Sequence, residues 1–491
     1  MSKENKKNVA IIGAGVGGLA VAIRLAKKGY KVQVFEAHET YGGKMGEICE
    51  KGYRFDGGPS LFTQAQLVDD LTLLVEKSDS SFSYDKLDVS CKYFWEDGSV
   101  FNAYFDRDRL SKELEDCFPE DCNAVLTYLD ENGRQYDSVG RIFLENSLHK
   151  IDTWLSWPVL KALTKFRFRD LLSTMHQKNR GAFKSEKLVQ LFDRFATYNG
   201  SNPYQAPGML TMIPHFEFNE GAYYPNGGMR SIPTHLYSLA CALGVQFSFS
   251  EPVEEILVDK SKAYGVKTLK GEYEADYVLS NADVYPTYAK LLKNHKVPSA
   301  VLKAERSSSG IIFYWGIKKI FKELELHNIF FSNNYRSEFD CLFKQKNLFD
   351  DPTVYVNISS KMDPKDAPKG CENWFVLVNA PNNEGQDWER LINRAREGVL
   401  AKIEACLGQD IRPLIEFEEI LDPVKIESRT SSYQGSLYGT SSNSPMSAFL
   451  RHKNYSSDIQ GLYFCGGSVH PGGGIPLCLN SAKIVSKLIS E

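Results

Sequence analysis

The chain has no run of about 18 consecutive apolar residues, the length a helix needs to cross a bilayer, so any membrane contact is expected to be peripheral. It has no CxxC pair, and its ten cysteines form no cluster with histidine at zinc spacing. That excludes a zinc site, predicts no metal, and reads the thiols as reduced, as in a cytoplasmic compartment. It has no excess of basic residues: 58 Lys and Arg stand against 62 Asp and Glu, a net charge of −4. Without a positive field, nucleic acid is excluded as a partner. The first apolar run, Val9 to Ile12, is cut short by glycine and is too brief for a secretion signal.

What is present is ordinary globular material, 42% hydrophobic and 24% charged over 491 residues. A chain this long exceeds one hydrophobic core, so two or three domains are expected. The opening predicts a strand over Val9 to Ile12, a glycine turn, a helix over Gly17 to Lys28 stopped by Gly29, and a strand over Lys31 to Glu36. Another turn, Gly57-Gly58-Pro59, precedes a helical pattern near Gln64. Residues 85 to 220 read as helix-rich and aromatic. Between Val245 and Ser280 the runs VQFSF, VEEILV and YEADYVLS suggest a hairpin returning to the first domain. Four strand candidates follow, Ile311 to Ile317, Asn328 to Phe331, Thr353 to Ser359 and Trp374 to Val378, and suggest a mostly antiparallel sheet. Trp388, Leu391, Ile392, Ala395, Val399, Ile403 and Leu407 recur at helical spacing and predict an amphipathic helix against it. The end reads as a strand over Leu462 to Cys465, a glycine loop, and a helix from about Pro476.

Gly13-x-Gly15-x-x-Gly18 falls between the first strand and helix, and Glu36 ends the next strand. The first glycine makes the turn, the second admits a pyrophosphate close to the backbone, and the third lets helix and strand pack. The helix N-terminus stabilises phosphate through its unpaired N–H groups. Glu36 can accept from ribose hydroxyls, and its charge repels a 2′-phosphate, which disfavours NADP. Gly42-Gly43-Lys44 could bring an ammonium to the pyrophosphate, or be a surface lysine after a flexible turn. Gly57-Gly58-Pro59-Ser60-Leu61 could pass beneath a flavin ring, or be an ordinary loop. The loop from Gly466 through Gly467, Ser468, His470 and Gly474 to Ile475 opens a helix whose N–H groups could face an anionic flavin edge. His470 is a candidate for proton transfer, and a structural role competes with it; no other catalytic residue can be named. Residues 150 to 170 interleave Trp154, Trp157, Leu160, Leu163 and Phe166 with Lys150, Lys161, Lys165, Arg167 and Arg169. Such a stretch suits an anionic membrane interface, or a helix covering a core, and Pro158 argues against one continuous helix.

With these motifs in place the chain resembles the bacterial and fungal carotenoid (phytoene) desaturases, within the amine oxidase-like flavoproteins. The resemblance is carried by GLYFCGGSVHPGGGIP at the C-terminus, by GAGVGGLAVAIRLAKKGYKVQVFEA and GGK at the start, and by GGPSLF and YYPNGGM. The segment FATYNGSNPYQAPGMLTMIPHFEF looks most like the 1-hydroxycarotenoid 3,4-desaturases. Lys44 stands where such flavoproteins often have arginine, and Gly467 where they often have alanine.

The resemblance implies an α/β fold: a Rossmann-type FAD-binding domain of the glutathione reductase and amine oxidase kind with an inserted α+β substrate domain. The expected division is 1–80, 222–300 and 440–491 for the discontinuous cofactor domain, and 81–221 with 301–439 for the substrate domain. FAD would lie with Gly13, Gly15, Gly18, Glu36, Gly43 and Lys44 on its adenosine diphosphate side. Ser60, Leu61, Gly466, Gly467, Ser468, Gly474 and Ile475 would lie near the flavin, with Val253 at the adenine and Asn281 nearby. The implied reaction introduces a C=C bond at an acyclic, 1-hydroxylated carotenoid end, a hydride leaving for flavin N5 and a proton for water or a weak base. A polyene has few polar handles, so binding would come from an apolar tunnel at about 25 cal/mol per Å² buried. The implied electron acceptor is oxygen or a membrane quinone, with the protein on the cytoplasmic membrane surface. Phytoene desaturation, another amine oxidase-like flavin chemistry, and a non-enzymatic isoprenoid escort are the alternatives.

Overall fold

A computed structural model describes residues 6–76, 81–163 and 169–489. Two sheets organise the molecule. The first has five parallel strands, in the order Gln246–Ser248, Lys31–Phe35, Asn8–Ile12, Tyr277–Ser280 and Leu462–Phe464. From Asn8–Ile12 the sheet is built outward on both sides, with Lys31–Phe35 on one and Tyr277–Ser280 on the other. The carboxyl end of that strand is therefore a topological switch point, where open α/β sheets bind ligands. The helix Val16–Lys27 leaves this point and is buried along nearly all of its length, from Val16 to Leu25. It is apolar on all sides because it is covered by the sheet and by the helices Ser231–Ala242 and Ile475–Leu488.

The second sheet has seven strands, in the order Ile415–Leu421, Ser309–Ile317, Glu372–Ala380, Val354–Asn357, His327–Phe330, Val89–Phe94 and Val100–Tyr104. All neighbours are antiparallel except His327–Phe330 with Val89–Phe94. Every residue of Ser309–Ile317 is buried. Ile311, Phe313, Trp315 and Ile317 face the helix Trp388–Leu407, against Leu391, Ala395, Val399 and Ile403. Ile312 and Tyr314 face the opposite way, against Tyr53, Phe55, Phe375 and Phe417. A nine-residue strand buried on both faces reads as a continuous apolar run, as this one does.

The α/β flavoprotein fold and the long amphipathic helix are as expected. Three local readings are corrected. VQFSF and YVLS do not form a hairpin: Gln246–Ser248 and Tyr277–Ser280 join the parallel sheet on opposite sides of Asn8–Ile12. Between them lies a separate antiparallel meander of Val253–Asp259, Lys262–Thr268 and Gly271–Glu274. The region after residue 85 opens with the strands Val89–Phe94 and Val100–Tyr104 before its helices begin; Val100–Tyr104 alternates buried and more exposed residues with strand period, whereas Val89–Phe94 is buried at four of six positions and carries no such alternation. The sheet after residue 310 is larger than the four candidates, gaining this hairpin at one edge and Ile415–Leu421 at the other. The tryptophan-rich stretch is broken into Ile151–Leu155 and Trp157–Leu163, with Ser156 extended between them. Lys165, Phe166 and Arg167 lie outside the described residues.

Trp315 is fully buried and donates from Nε1 to Glu418 at 2.8 Å. Trp315→Ala is expected to lower unfolding stability by about 3–5 kcal/mol, whereas Leu269→Ala, at an exposed turn, shifts it by less than about 0.5 kcal/mol; denaturant titration of both variants checks the contrast.

Candidate FAD site and its relatives

The turn after the first strand is shaped by what cannot fit there. Gly13 has φ +95°, which a side-chain-bearing residue rarely adopts. A Cβ on Gly18 would fall inside the Gly13 carbonyl oxygen, and one on Gly15 would lie 2.9 Å from Nδ2 of Asn281. Asn281 follows directly on the strand Tyr277–Ser280, and its backbone N–H donates to the Ile12 carbonyl at 2.8 Å. Gly466, at the end of the last strand, approaches from the other side; a Cβ there would lie 2.8 Å from Oδ1 of Asn281. Three segments from the two ends and the middle of the chain thus meet at near-minimal backbone distance.

Glu36 is buried, and its carboxylate accepts from the Ala14 N–H at 2.7 Å and the His38 N–H at 3.0 Å. It therefore ties the glycine turn to the end of the second strand. Gly42 and Gly43 continue the same surface: the Gly42 N–H donates to the Ala14 carbonyl at 2.9 Å, and a Cβ on Gly43 would lie 3.3 Å from Gly15. Lys44 points inward, its Nζ donating to the Leu437 carbonyl at 2.9 Å, and burial pushes the ammonium's pKa down, with Asp283 opposing. Gly58 passes so close to the Lys44 carbonyl that a side chain there would overlap it.

Ser60 and Leu61 are half-buried just beyond this turn. Ser60 Oγ lies 2.7 Å from the Tyr355 hydroxyl, and Leu61 packs on Leu87, Tyr224 and Leu326. Tyr314 donates to the Gly57 carbonyl at 3.1 Å, so the seven-stranded sheet grips the same turn. Val253 lies at the start of the meander, against the cluster containing Ile12 and Phe35.

The terminal loop runs across the switch point. Gly466 and Gly474 have positive φ, and Gly467 packs on Gly473. Ser468 is buried and accepts from the Val284 N–H at 3.0 Å. Gly474 precedes the helix Ile475–Leu488, whose Pro476 needs no N–H acceptor in its first turn. His470 is buried, its Nε2 2.9 Å from the Asn146 carbonyl, and burial pushes its pKa down to about 4. The contact ties the loop to the segment that leads into the tryptophan-rich helices.

Two contributors escaped the sequence reading. Arg230 inserts between the early loops, donating to the Tyr41 and Met45 carbonyls and, at 2.8 Å, to Thr40 Oγ1. Its only signal was its place after YYPNGGM. Tyr438 packs against Gly473 and came from a segment without any motif.

The arrangement is a cradle lined by glycine, a buried carboxylate, a buried ammonium and a helix start. It fits a dinucleotide with a flavin, since Cβ atoms at Gly15, Gly18 or Gly466 would close it. The flavin-containing amine oxidoreductase family model matches residues 16–490. The chain belongs to that family. It is an FAD-dependent oxidoreductase. It is 50% identical over 483 residues to the 1-hydroxycarotenoid 3,4-desaturase of Flavobacterium sp. (strain P99-3), covering 98% of this chain and 99% of that one. It is 32% identical over 505 residues to the 4,4'-diapolycopene oxygenase of Methylomonas sp, covering both chains fully. It is 33% identical over 511 residues to the phytoene desaturase of Fusarium fujikuroi, covering 99% of this chain and 89% of that one. Among solved structures it is similar to an oxidoreductase from Methanosarcina mazei at TM-score 0.66 and 15% identity, covering 99% of this chain and 100% of that one. It is also similar to a putrescine oxidase variant at TM-score 0.63 and 16% identity, covering 99% and 98%. These two show the fold.

Gly18→Ala places a methyl group against the Gly13 carbonyl. The purified variant is expected to retain less than about a tenth of the wild-type flavin, a loss of at least 1.4 kcal/mol in binding, while keeping its far-ultraviolet circular dichroism; flavin-to-protein absorbance ratios check it.

Proposed function

We propose that the chain introduces a C=C bond at the 3,4 position of an acyclic carotenoid end carrying a 1-hydroxyl group. The observation that carries this reading is the 50% identity, over almost the whole of both chains, to an enzyme named for that reaction. In this reading Gly13, Gly15, Gly18, Glu36, Gly43 and Lys44 hold the adenosine diphosphate half of FAD. Ser60, Leu61 and the loop from Gly466 through Gly467, Ser468 and Gly474 to Ile475 border the flavin, with Asn281 between the halves and Val253 toward the adenine. Bound FAD supplies a two-electron acceptor for the hydride that leaves the carbon chain. The polypeptide aligns the C–H bond and excludes water, within a substrate half whose core is rich in aromatic side chains. Tyr93, Phe101, Phe192, Phe195 and Phe218 belong to one apolar cluster there. His470 donates from Nε2 to the Asn146 carbonyl and its Nδ1 has no partner among the described residues; with burial pushing its pKa down to about 4 that nitrogen is a poor base, and no proton-transfer step is given to it.

A polyene resides in lipid, so the enzyme must meet a membrane. Among the described residues no helix is long and apolar enough to cross one. Around the broken helices, however, Ile151, Leu155, Trp157 and Leu172 are exposed, Trp157 at 76% and Leu172 at 88%. The short helix Pro445–Phe449 packs on the same small core through Phe449 and adds exposed Met446 and Leu450. Scattered apolar side chains are ordinary, but a clustered set with basic neighbours suits peripheral insertion on the cytoplasmic face. Trp154 does not share this exposure; it is half-buried and donates to the Leu148 carbonyl at 2.9 Å. The His470 to Asn146 contact joins this patch to the terminal glycine loop. Oxygen or a membrane quinone completes the cycle by taking the electrons.

Reconstituted with FAD and liposomes, the protein is expected to red-shift a 1-hydroxylated acyclic carotenoid by extending its conjugation; a shift with phytoene instead reassigns it as a phytoene desaturase. Replacing Leu155 and Trp157 together with serine is expected to weaken liposome co-sedimentation roughly tenfold or more, from the lost apolar burial. Equal sedimentation of variant and wild type removes the membrane assignment.

A further inference from the structure

The substrate half of the molecule contains a buried hydrogen-bond chain that the cradle does not explain. Ser60 Oγ lies 2.7 Å from the Tyr355 hydroxyl, which lies 2.8 Å from Nδ1 of His327. His327 is 1% exposed, and its Nε2 has no partner among the described residues. The direction of this chain is set at its far end. The Asn357 amide nitrogen donates to the Leu326 carbonyl at 3.2 Å, which orients the amide, and the same nitrogen lies 3.2 Å from Nδ1 of His327. Nδ1 therefore presents its lone pair, and the imidazole hydrogen sits on Nε2. Burial first, and the Arg194 charge second, push the His327 pKa down to about 3, so the ring is neutral. Arg194 is itself balanced by Glu217 at 3.3 Å.

The consequences run back along the chain. Tyr355 donates its hydrogen to Nδ1, and Ser60 then donates its own to the Tyr355 oxygen. Reversing the Tyr355–His327 bond would set two hydrogens facing each other between Asn357 and His327, and reversing the Ser60–Tyr355 bond would set two lone pairs facing each other between Tyr355 and His327. Ser60 is left with lone pairs and no hydrogen on its outward side, and it is half-buried at the edge of the turn held by Tyr314.

We infer that Ser60 is a specificity-determining residue whose Oγ accepts the hydrogen bond of the substrate's 1-hydroxyl, with Tyr355, His327 and Asn357 as positioning residues that hold it in the acceptor state. The inference rests on the substrate reading above. A single carbon separates C1 from the C3–C4 bond, so the partner of that hydroxyl must lie beside the bond being oxidised. The turn from Gly57 to Leu61, on the flavin side, meets this requirement. A hydrocarbon end or an ether end brings no hydrogen, and an acceptor that it covers and leaves unpaired penalises it.

The test uses FAD-loaded wild type, Ser60→Ala, Ser60→Thr and Tyr355→Phe. Each receives a 1-hydroxylated acyclic carotenoid, its 1-methyl ether and the parent hydrocarbon in liposomes. Turnover is read as kcat/KM, and binding to FAD-loaded protein held reduced under anaerobic conditions as quenching of tryptophan fluorescence. Wild type is expected to favour the alcohol over the ether by roughly tenfold or more in both readouts. Ser60→Ala collapses that ratio to within about threefold, less than one neutral hydrogen bond, and Ser60→Thr retains it. Tyr355→Phe frees the serine hydrogen to point outward, so the ether gains on the alcohol. An alcohol-to-ether ratio unaltered in Ser60→Ala overturns the proposal. So does an equal fall of turnover on all three substrates with binding intact, which assigns the chain to proton removal instead. A flavin-loaded wild type that leaves the hydroxylated carotenoid unchanged overturns the substrate reading itself, and shows this before any variant is compared.

Discussion

The structure depends on one steric fact: at the end of the first strand, backbone must touch backbone. The Gly13 carbonyl, the Gly15 and Gly18 α-carbons, the Asn281 amide and Gly466 occupy a space with no room for a further methyl group. The five-stranded sheet brings their strands side by side in parallel, so that all three turns emerge at the same edge. Close approach of this kind puts a helix start at the strand ends, and unpaired N–H groups at a helix start suit a phosphate. The rest of the cradle is accessory to it. Glu36 fastens the turn from one side, and Lys44 reaches across to the 436–437 carbonyls from the other.

The seven-stranded sheet solves a different problem. Its internal strand Ser309–Ile317 is buried on both faces, which gives a rigid wall, and from that wall Tyr314 and Tyr355 reach the turn carrying Ser60. A rigid apolar wall suits a long hydrocarbon, which must be held by area and not by directional bonds. Buried polar groups on that side are held in pairs and networks. Arg194 and Glu217 neutralise each other among Tyr93 and Tyr198, and His327 stays neutral beside them. A low-dielectric setting favours such groups when their hydrogen bonds are spoken for; among the described residues Nε2 of His327 and Nε of Arg194 are buried without a partner.

Sequence patterning served well where a local rule governs. Glycine spacing, the acid after the second strand, the 3.6-residue stripe of Trp388–Leu407 and the all-apolar IIFYWGI each follow from constraints within a few residues. It served poorly where partners are distant. Gln246–Ser248 and Tyr277–Ser280 look like the two arms of a hairpin, because strand period says nothing about which strand is the neighbour. Arg230 and Tyr438 carry no motif at all, since their contacts lie far away in the chain. Trp154 and Trp157 look alike in a string of letters, yet the break at Ser156 turns one inward and leaves the other exposed.

By itself, the sequence determined that this protein has a dinucleotide-binding turn, a second glycine loop opening its last helix, and a resemblance specific enough to name FAD and a carotenoid. These are properties of contiguous residues, set by backbone sterics and side-chain type. Tertiary structure alone decided that the two glycine loops meet over Asn281. It alone decided that Ser60 ends a hydrogen-bond chain oriented by Asn357, and that the exposed apolar side chains gather near the loop of His470. Those depend on which surfaces are brought together when apolar area leaves water, and the burial that drives this process is indifferent to distance along the chain.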